Sequence, residues 1–405
     1  MKKVLMFPGQ GSQYRGMGKE IFPKYKLETQ MASDILGYDI EELCLKDPNR
    51  QLRKTQFTQP ALFFVNALRY YDLKREELPD YFIGHSLGEF NALHAAGVFD
   101  LQTGLKLVQK RGALMARASQ GGMAAVLGLN IETLKNELKR IDGNAIDIAN
   151  YNTPTQIVIS GKQEEINNIV QLFDDKGIKI IPLNVSAPFH SRYMKSASND
   201  FETFLNSFEF SSLKTKVISN VTALPYEDSE VTSILSKQII SSVNWVDTVR
   251  LLMGENIIDY EELGSNVLTK MIHEIRKDCT PIFKKDVQIK NKTLKQREPN
   301  KAYSVSDRDM SIHLGSESFR KTYGVKYAYV TGGMYRGIAS KELVVLMGKA
   351  KILGFLGTGG LSLNEIESDL KFIQQELKEK EPYGVNLVHN LTNPDKEMDL
   401  SLIHI

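Results

Sequence analysis

A serine placed between two glycines is the first feature of this sequence that could perform chemistry. Residues 84–88 read GHSLG; they follow the apolar run Tyr81 to Ile83 and precede Glu89 to Leu93. This order predicts a strand that turns sharply into a helix at Ser86. Glycines permit the close backbone contacts of such a turn, and the helix N-terminus offers free N–H groups to an oxyanion. The pattern therefore predicts a nucleophilic serine.

Two further residues could assist that serine. His190 lies in the proline-defined turn APFHS at 187–191, at a predicted strand-to-helix junction of the kind that displays catalytic residues. The same histidine could instead cap a helix at the surface. Arg111 lies toward the apolar side of a predicted helix from Leu101 to Ala118. An arginine there could bind an anion or extend its charged end to solvent, and the local pattern leaves both open.

The elements that must position these residues alternate between strand and helix. Val4 to Phe7 reads as a buried strand leading into the loop PGQGSQ, and Pro60 is predicted to open an apolar helix. From Met123 to Leu183 the order is strand-helix-strand-strand-helix-strand, which is typical of a ferredoxin-like unit. The predicted fold class is α/β, with a hydrolase-like α/β core at 1–122 and 186–280 and an inserted ferredoxin-like subdomain at 123–185.

The last quarter of the chain has a different organisation. Residues 281–310 are polar and charged, which is linker composition. Residues 311–405 then begin a β/α alternation with two glycine-rich loops and stop before enough units have accumulated to close a barrel. We therefore predict an incomplete β/α barrel fragment in this region.

Composition excludes several classes of function. A net charge of +2 gives no reason to expect nucleic acid or an anionic membrane as partner. Cys44 and Cys279 have no His or Cys nearby at metal-binding spacing, so we predict free thiols and no metal site. The apolar run at Val4 to Phe7 is too short for a signal peptide, and no stretch reaches membrane-spanning length. The expected location is cytoplasmic.

Five motifs together resemble the malonyl-CoA:acyl carrier protein transacylases, and most of all the stand-alone acyltransferases that serve polyketide synthases in trans. They are PGQGSQ at 8–13, QPAL at 59–62, GHSLGE at 84–89, RG at 111–112 and APFHS at 187–191. The resemblance covers about residues 1 to 280, in order and at matching spacings. It implies transfer of malonyl from malonyl-CoA to the phosphopantetheine thiol of an acyl carrier protein, through a malonyl-serine, in polyketide or fatty acid biosynthesis and without a cofactor.

The resemblance also implies a role for individual residues. Ser86 matches the acyl-accepting serine and His190 the histidine that activates it. The remaining roles are an oxyanion hole from the backbone N–H groups of Gln10 and Leu87, substrate binding by Arg111, His85 and Phe189, and orientation of the histidine by a backbone carbonyl near 243–245, at Asn244. A hydrolase of acyl thioesters could use the same serine and histidine, and remains the alternative.

The second region resembles the start of the FMN-dependent, barrel-type enoyl reductases, through Lys326 to Gly360 and Tyr383 to Asn390. In that family the glycine loop at Thr331 to Gly337 and the strand containing Asn386 contribute to the flavin site. Since the rest of the barrel is missing, we expect neither FMN binding nor reductase activity. Residues 400–405, LSLIHI, resemble a translated transposon-end sequencing adapter, so we expect a fragment that ends in a sequence artefact.

Overall fold

The computed structural model describes the chain at residues 2–74, 77–118, 121–140, 145–185, 187–283, 316–332, 339–377 and 381–386. The chain divides into two compact units, Met1–Arg297 and Glu298–Ile405. Most of the predicted linker at 281–310 lies outside the described residues. So do the greater part of the glycine loop that begins at Thr331 and the end of the chain at 400–405.

A parallel sheet forms the centre of the first unit. Its strand order is β7-β2-β1-β8, where β1 is Lys3–Phe7, β2 is Tyr81–Gly84, β7 is Lys216–Val217 and β8 is Asp259–Glu262. The apolar residues of β1 and β2 are buried, as expected of parallel strands covered on both faces. Phe7 pairs with Gly84 at the ends of these strands. The loops after β1 and β2 therefore meet at the same edge of the sheet.

Helices surround this sheet and cover one face of a second one. Their bounds are α1 Lys26–Leu36, α2 Ile40–Lys46, α3 Thr55–Asp72, α4 Gly88–Ala95, α5 Leu101–Arg117, α6 Ile131–Arg140, α7 Gln163–Asp175, α8 Lys195–Leu205, α9 Val231–Gln238, α10 Trp245–Gly254 and α11 Val267–Asp278. α3 begins at Thr55, so the prediction that Pro60 opens it is wrong. Residues 59–68 of α3 are buried, and this packing outweighs the backbone hydrogen bond lost at the proline. No helix in the described part of the chain combines the length and apolar composition needed to cross a bilayer.

The second sheet of this unit is antiparallel. Its order is β4-β5-β3-β6, where β3 is Gly121–Leu127, β4 is Asp147–Thr153, β5 is Gln156–Lys162 and β6 is Ile180–Pro182. Together with α6 and α7 the chain order is β-α-β-β-α-β, and apolar side chains of both helices form a separate core with the sheet. The sheet begins at Gly121, while the subdomain boundaries at 123 and 185 stay a prediction.

Residues just before α10 attach the antiparallel sheet to the rest of the unit. The N–H of Val243 donates to the carbonyl oxygen of Ala149 at 2.8 Å, and the N–H of Tyr151 donates to the carbonyl oxygen of Val243 at 3.0 Å. The hydroxyl of Ser242 donates to the carbonyl oxygen of Ile148 at 2.6 Å. This segment is thus bonded along the edge strand β4.

The second unit contains a small parallel sheet. Its order is β11-β10-β9, where β9 is Val330–Thr331, β10 is Leu353–Gly357 and β11 is Tyr383–Asn386. The helices are α12 Glu317–Tyr323, α13 Lys341–Lys349 and α14 Leu363–Glu376, and side chains of α13 and α14 form a core with β10. The α/β class is confirmed, whereas a barrel stays a prediction because the described strands form an open sheet.

Candidate active site

Ser86 lies in a sharp turn between β2 and α4. Its φ of 51° places this residue in the left-handed region, which is strained for any residue other than glycine. A Cβ at Gly84 would lie 1.9 Å from the carbonyl carbon of Gly88, and a Cβ at Gly88 would lie 2.0 Å from the carbonyl oxygen of Phe7. Only glycine fits at both positions. The turn therefore holds the Oγ of Ser86 at the wall of a cavity, beside the N-terminal end of α4.

Asn220 fixes the backbone of this turn. Its Oδ1 accepts from the N–H of Ser86 at 2.7 Å, and its Nδ2 donates to the carbonyl oxygen of Gly84 at 2.7 Å. Asn220 is buried, so solvent does not compete for these bonds. Since the N–H of Ser86 already has an acceptor, it is not a donor for a developing oxyanion.

The side chain of Ser86 is hydrogen bonded to His190. The Oγ of the serine lies 2.8 Å from Nε2, and Nδ1 lies 2.9 Å from the carbonyl oxygen of Gln238 and 3.1 Å from that of Ser241. Because carbonyl oxygens can only accept, Nδ1 carries the proton and Nε2 is left with its lone pair. The imidazole is thereby oriented to accept the hydroxyl proton of Ser86.

The prediction that Asn244 marks the group orienting His190 is wrong. The Asn244 side chain donates to the carbonyl oxygens of Val221 at 2.7 Å and Asn220 at 3.1 Å. The orienting groups are backbone carbonyls, as expected, but they belong to Gln238 and Ser241. The chain passes the imidazole as it leaves α9, before Val243 joins β4.

Burial keeps His190 neutral. Loss of solvation, together with the positive charge of Arg111, lowers the pKa of the imidazole to about 3. An imidazole with this pKa carries no proton on Nε2 at neutral pH, which is the form needed to accept a proton. The same low pKa means that an imidazolium formed during a reaction would return its proton readily.

Arg111 lies on α5 with its guanidinium at the wall of the same cavity and is only 1% exposed. Nη1 donates to Oε1 of Gln59 at 2.8 Å, and Nη2 donates to Oε1 of Gln238 at 2.8 Å and lies 3.4 Å from the Oγ of Ser86. Among the described residues Nε has no hydrogen-bond partner. Burial lowers the pKa of Arg111 to about 10, so the side chain stays a cation at pH 7. A buried cation held by neutral amides can bind a carboxylate next to the serine.

The loop after β1 brings a second backbone segment to the serine. A Cβ at Gly9 would lie 2.2 Å from the carbonyl oxygen of His85, so only glycine allows this approach. Gln10 follows, and its side chain donates to the hydroxyl of Thr55 at 3.2 Å. In the described residues the N–H groups of Gln10 and Leu87 have no acceptor, and both residues line the cavity. Two adjacent free N–H groups of this kind can stabilise an oxyanion.

His85 and Phe189 complete the set of predicted residues that line the cavity. Nε2 of His85 lies 2.8 Å from Oδ1 of Asn152 on β4, and its ring meets Trp245 edge to face. Burial lowers the pKa of His85, which therefore favours the neutral form. Phe189 is 6% exposed and presents an apolar ring beside His190. Both side chains limit the shape of the cavity.

The cavity has a volume of about 230 Å³ and lies between the two sheets of the first unit. Its walls include Met115 from the core and Asn152 and Val158 from the antiparallel sheet. The structure thus brings together around one cavity the predicted residues Ser86, His190, Gln10, Leu87, Arg111, His85 and Phe189. Asn244 is not among them.

No role was predicted from sequence for three residues around Arg111, nor for Asn220, which fixes the turn at Ser86. Gln59 and Gln238 supply the acceptors for Arg111, and Glu89 is a fully buried carboxylate bonded to Gln238. Gln59 and Glu89 belong to motifs that carried the resemblance, but no role was predicted for them. Gln238 lies at the end of a helix in no motif, so the sequence contained no signal for it.

Comparison with known proteins places the site in a wider context. The family described as "Acyl transferase domain" matches residues 4–255. The polyketide biosynthesis malonyl CoA-acyl carrier protein transacylase PksC of Bacillus subtilis (strain 168) is 51% identical over 279 residues, which is 68% of this chain and 97% of PksC. The polyketide biosynthesis protein PksE of the same strain is 46% identical over 402 residues, which is 97% of this chain. This chain spans about half, 51%, of the length of PksE.

Solved structures agree with the sequence relatives. A malonyl CoA-acyl carrier protein transacylase from Burkholderia pseudomallei has 44% sequence identity and a TM-score of 0.67, and the match covers 70% of this chain and 100% of that chain. A second structure contains a malonyl-transacylase in complex with a type II PKS acyl-carrier protein. It has 30% identity and a TM-score of 0.65, over 73% of this chain and 100% of that chain.

Proposed function

This chain belongs to the acyl transferase family, in its group of malonyl-CoA–acyl carrier protein transacylases, and from that membership we propose that it transfers malonyl from malonyl-CoA to an acyl carrier protein in polyketide or fatty acid biosynthesis. The observation that carries the proposal is the buried Arg111 guanidinium, with an Nη2 atom 3.4 Å from the Oγ of Ser86 and only neutral hydrogen-bond partners. A free carboxylate distinguishes malonyl from acetyl and from longer unbranched acyl groups. Such a cation recognises that difference.

In the first half-reaction malonyl is loaded onto Ser86. The Oγ attacks the thioester carbonyl of malonyl-CoA while Nε2 of His190 accepts the hydroxyl proton. The carbonyl oxygen becomes an oxyanion that accepts from the N–H groups of Gln10 and Leu87. The tetrahedral intermediate collapses, the carbon–sulfur bond breaks, and the imidazolium protonates the departing CoA thiolate. Arg111 holds the malonyl carboxylate throughout.

In the second half-reaction the steps run in reverse with a different thiol. The phosphopantetheine thiol of the carrier protein gives its proton to Nε2 of His190 and attacks the acyl-serine carbonyl. The same two N–H groups stabilise the second oxyanion. Collapse breaks the bond to Oγ, which recovers the proton from the imidazolium. Carrier protein and CoA use the site in turn, so ping-pong kinetics are expected. A malonyl-transacylase solved with its acyl-carrier protein supports a partner of this kind.

Intact-protein mass spectrometry after mixing with malonyl-CoA tests this proposal. The parent chain should gain one malonyl group and lose it on addition of holo acyl carrier protein, with the malonyl group recovered on the carrier. Ser86→Ala should gain nothing, whereas the control Ser207→Ala, at an exposed serine, should behave as the parent. An adduct that persists in Ser86→Ala would overturn the assignment of the nucleophile. Release to water at the same rate with or without carrier would favour the hydrolase alternative.

We further propose the domain division 1–122 and 186–280 for the acyltransferase core, 123–185 for the ferredoxin-like subdomain, 281–310 for a linker and 311–405 for a reductase-like fragment. The antiparallel sheet with its own apolar core supports the inserted subdomain. Limited proteolysis tests the division, since the first cuts should fall within 281–310 and release an acyltransferase that still forms the malonyl adduct. First cuts inside 123–185 would contradict it.

For the second unit we propose a correspondence to the start of a barrel-type enoyl reductase. The parallel β/α order of β9 to β11 supports this, as does a similarity to PksE that continues past the acyl transferase match. We expect this unit not to bind FMN. The three parallel strands in the described part of this unit are too few to close a barrel. The purified protein should show no flavin absorbance, and FMN released on denaturation would contradict this expectation.

A further inference from the structure

Glu89 is a buried carboxylate that the two half-reactions do not use. It lies in the first turn of α4 and has none of its surface exposed. Its Oε1 accepts from the N–H of Asn220 at 3.2 Å and from the hydroxyl of Tyr226, and its Oε2 accepts from the side-chain amide of Gln238. Since this carboxylate has no exposed surface, it affects the reacting groups only through the residues that it contacts.

Gln238 connects Glu89 to the reacting groups. Its Nε2 also donates to the carbonyl oxygen of Ser86 at 2.9 Å, and its Oε1 accepts from Nη2 of Arg111 at 2.8 Å. Its backbone carbonyl accepts from Nδ1 of His190 at 2.9 Å. A single amide group therefore separates the buried carboxylate from the buried guanidinium, and the same residue orients the catalytic imidazole.

The charges of Arg111 and Glu89 balance each other. In this cluster of described residues Arg111 is the only cation and Glu89 the only anion, since burial favours the neutral forms of His190 and His85 and raises the pKa of Tyr226 well above its ordinary value. A substrate carboxylate bound to Arg111 adds a second negative charge to an enclosed site. Such a charge is costly in a medium of low dielectric unless another group neutralises it.

We propose that Glu89 takes up a proton from solvent when the substrate carboxylate pairs with Arg111, so that the buried site keeps a net charge of zero. Glu89 is then a positioning residue with two states. Ionised, it is the counter-charge that keeps Arg111 in place before the substrate arrives, and protonated, it leaves the guanidinium to the substrate. The inference rests on the proposed function, because it takes the acyl group to carry a carboxylate that Arg111 binds.

The environment of Glu89 is suited to such a change. Burial raises the pKa of Glu89 to about 7, although hydrogen bonds from Tyr226, Gln238 and Asn220 and the charge of Arg111 favour the ionised form. A substrate carboxylate beside Arg111 weakens the stabilisation of ionised Glu89 by the guanidinium, and it therefore raises the pKa of Glu89 further. The hydroxyl of Tyr226 can accept from a carboxylic acid as well as donate to a carboxylate, so the hydrogen-bond network accommodates both states.

Isothermal titration calorimetry of the full chain carrying Ser86→Ala, which cannot be acylated, tests the proposal. Malonyl-CoA and acetyl-CoA are titrated in buffers of different ionisation enthalpy, so that the observed heat reports the protons taken up. The two ligands share the same phosphates and differ in the carboxylate. At about pH 7.5 malonyl-CoA should take up about half a proton more than acetyl-CoA, because Glu89 is mostly ionised before binding and mostly protonated afterwards.

Two additional substitutions in the Ser86→Ala background identify the group that binds the proton. Glu89→Gln should abolish the excess uptake. Tyr226→Phe removes a hydrogen bond that favours the ionised carboxylate, so the pH of maximal excess uptake should move upward. Tyr226→Phe also provides the test if Glu89→Gln does not fold.

The outcomes separate this inference from the proposed function. Tighter binding of malonyl-CoA than acetyl-CoA without excess proton uptake would overturn the inference and leave the function intact. Excess uptake that persists in Glu89→Gln, or that keeps its pH profile in Tyr226→Phe, would also overturn it. Equal affinity for the two ligands would instead overturn the role of Arg111 and with it the proposed function.

Discussion

Replacing Arg111 by alanine is the sharpest test of how the site recognises its substrate. The substitution removes a guanidinium that is 1% exposed and leaves the side-chain oxygens of Gln59 and Gln238 without their donor. These structural costs fall equally on every acyl group that reaches Ser86. The loss of the carboxylate contact falls on malonyl alone. The informative quantity is therefore the ratio of kcat/KM for malonyl-CoA to kcat/KM for acetyl-CoA.

The size of the change follows from the contacts that are lost. A hydrogen bond to a charged group contributes about 1.5–3 kcal/mol, and the planar guanidinium can make two to one carboxylate. With each 1.4 kcal/mol worth about tenfold, Arg111→Ala should lower the ratio by about 10²-fold or more. The cost of the two orphaned glutamine oxygens cancels in the ratio.

The assay measures CoA release with each acyl-CoA in the presence of holo carrier protein, and the control is Lys110→Ala. Lys110 precedes Arg111 on α5, but its ammonium lies over the ring of Phe204 rather than at the cavity. Its removal should leave the ratio unchanged, which separates a local contact from a general effect of positive charge. An equal loss of both activities in Arg111→Ala would refute the reasoning and make the arginine a structural residue.

Three further predictions concern the catalytic base and the turn. His190→Ala should slow acyl-enzyme formation by about 10²–10⁴-fold, measured as the burst of CoA release, and an undiminished burst would exclude it as the base. His190 also affects stability. Its pKa is lower in the folded state than in the unfolded chain, where it is near 6.5, so its contribution to the unfolding free energy is present above pH 6.5 and is lost as pH falls toward 3. The raised pKa of Glu89 has the opposite effect on the unfolding free energy. Between pH 7 and pH 5 the unfolding free energy of the parent, measured by urea titration, should therefore decline by about 2 kcal/mol relative to that of His190→Gln. If the unfolding free energies of the two proteins change in parallel with pH, the pKa assigned to His190 is wrong. Gly88→Ala should cost about 1–3 kcal/mol in the same titrations, because its Cβ would lie 2.0 Å from the carbonyl oxygen of Phe7, and a variant as stable as the parent would show that the turn can relax.

Local sterics made part of this site predictable from sequence. The turn at Ser86 follows from glycines at positions where a side chain would collide with backbone, and the strand that precedes it follows from an apolar run. The β-α-β-β-α-β order of the antiparallel unit was also predictable, because the change of apolar residues from alternating to helical periodicity is a local property of the sequence. The pairing of Ser86 with His190 was predictable only through the family resemblance, because the two residues are 104 positions apart.

Other features depended on tertiary structure. The pattern around Arg111 fitted a surface arginine as well as a buried one, and only packing in the fold distinguishes them. The groups that orient His190 are backbone carbonyls, which every residue possesses. The residue types of Gln238 and Ser241 therefore do not identify them as acceptors for Nδ1 of His190. Asn244 was assigned because the family resemblance implies an orienting carbonyl near 243–245, whereas the carbonyls that contact His190 belong to residues earlier in the chain.

The attachment of Val243 to β4 has a mechanical consequence for the cleft. Ser242 and Val243 are bonded to the antiparallel sheet, and Ser241, next to them, offers its carbonyl oxygen to His190. A hinge rotation that swung this sheet away from the core would therefore pull on the group that orients the imidazole. Cleft width and imidazole orientation are coupled through two residues of backbone. Opening of the cleft by such a rotation would therefore disturb the hydrogen bond between Nδ1 of His190 and the carbonyl oxygen of Ser241.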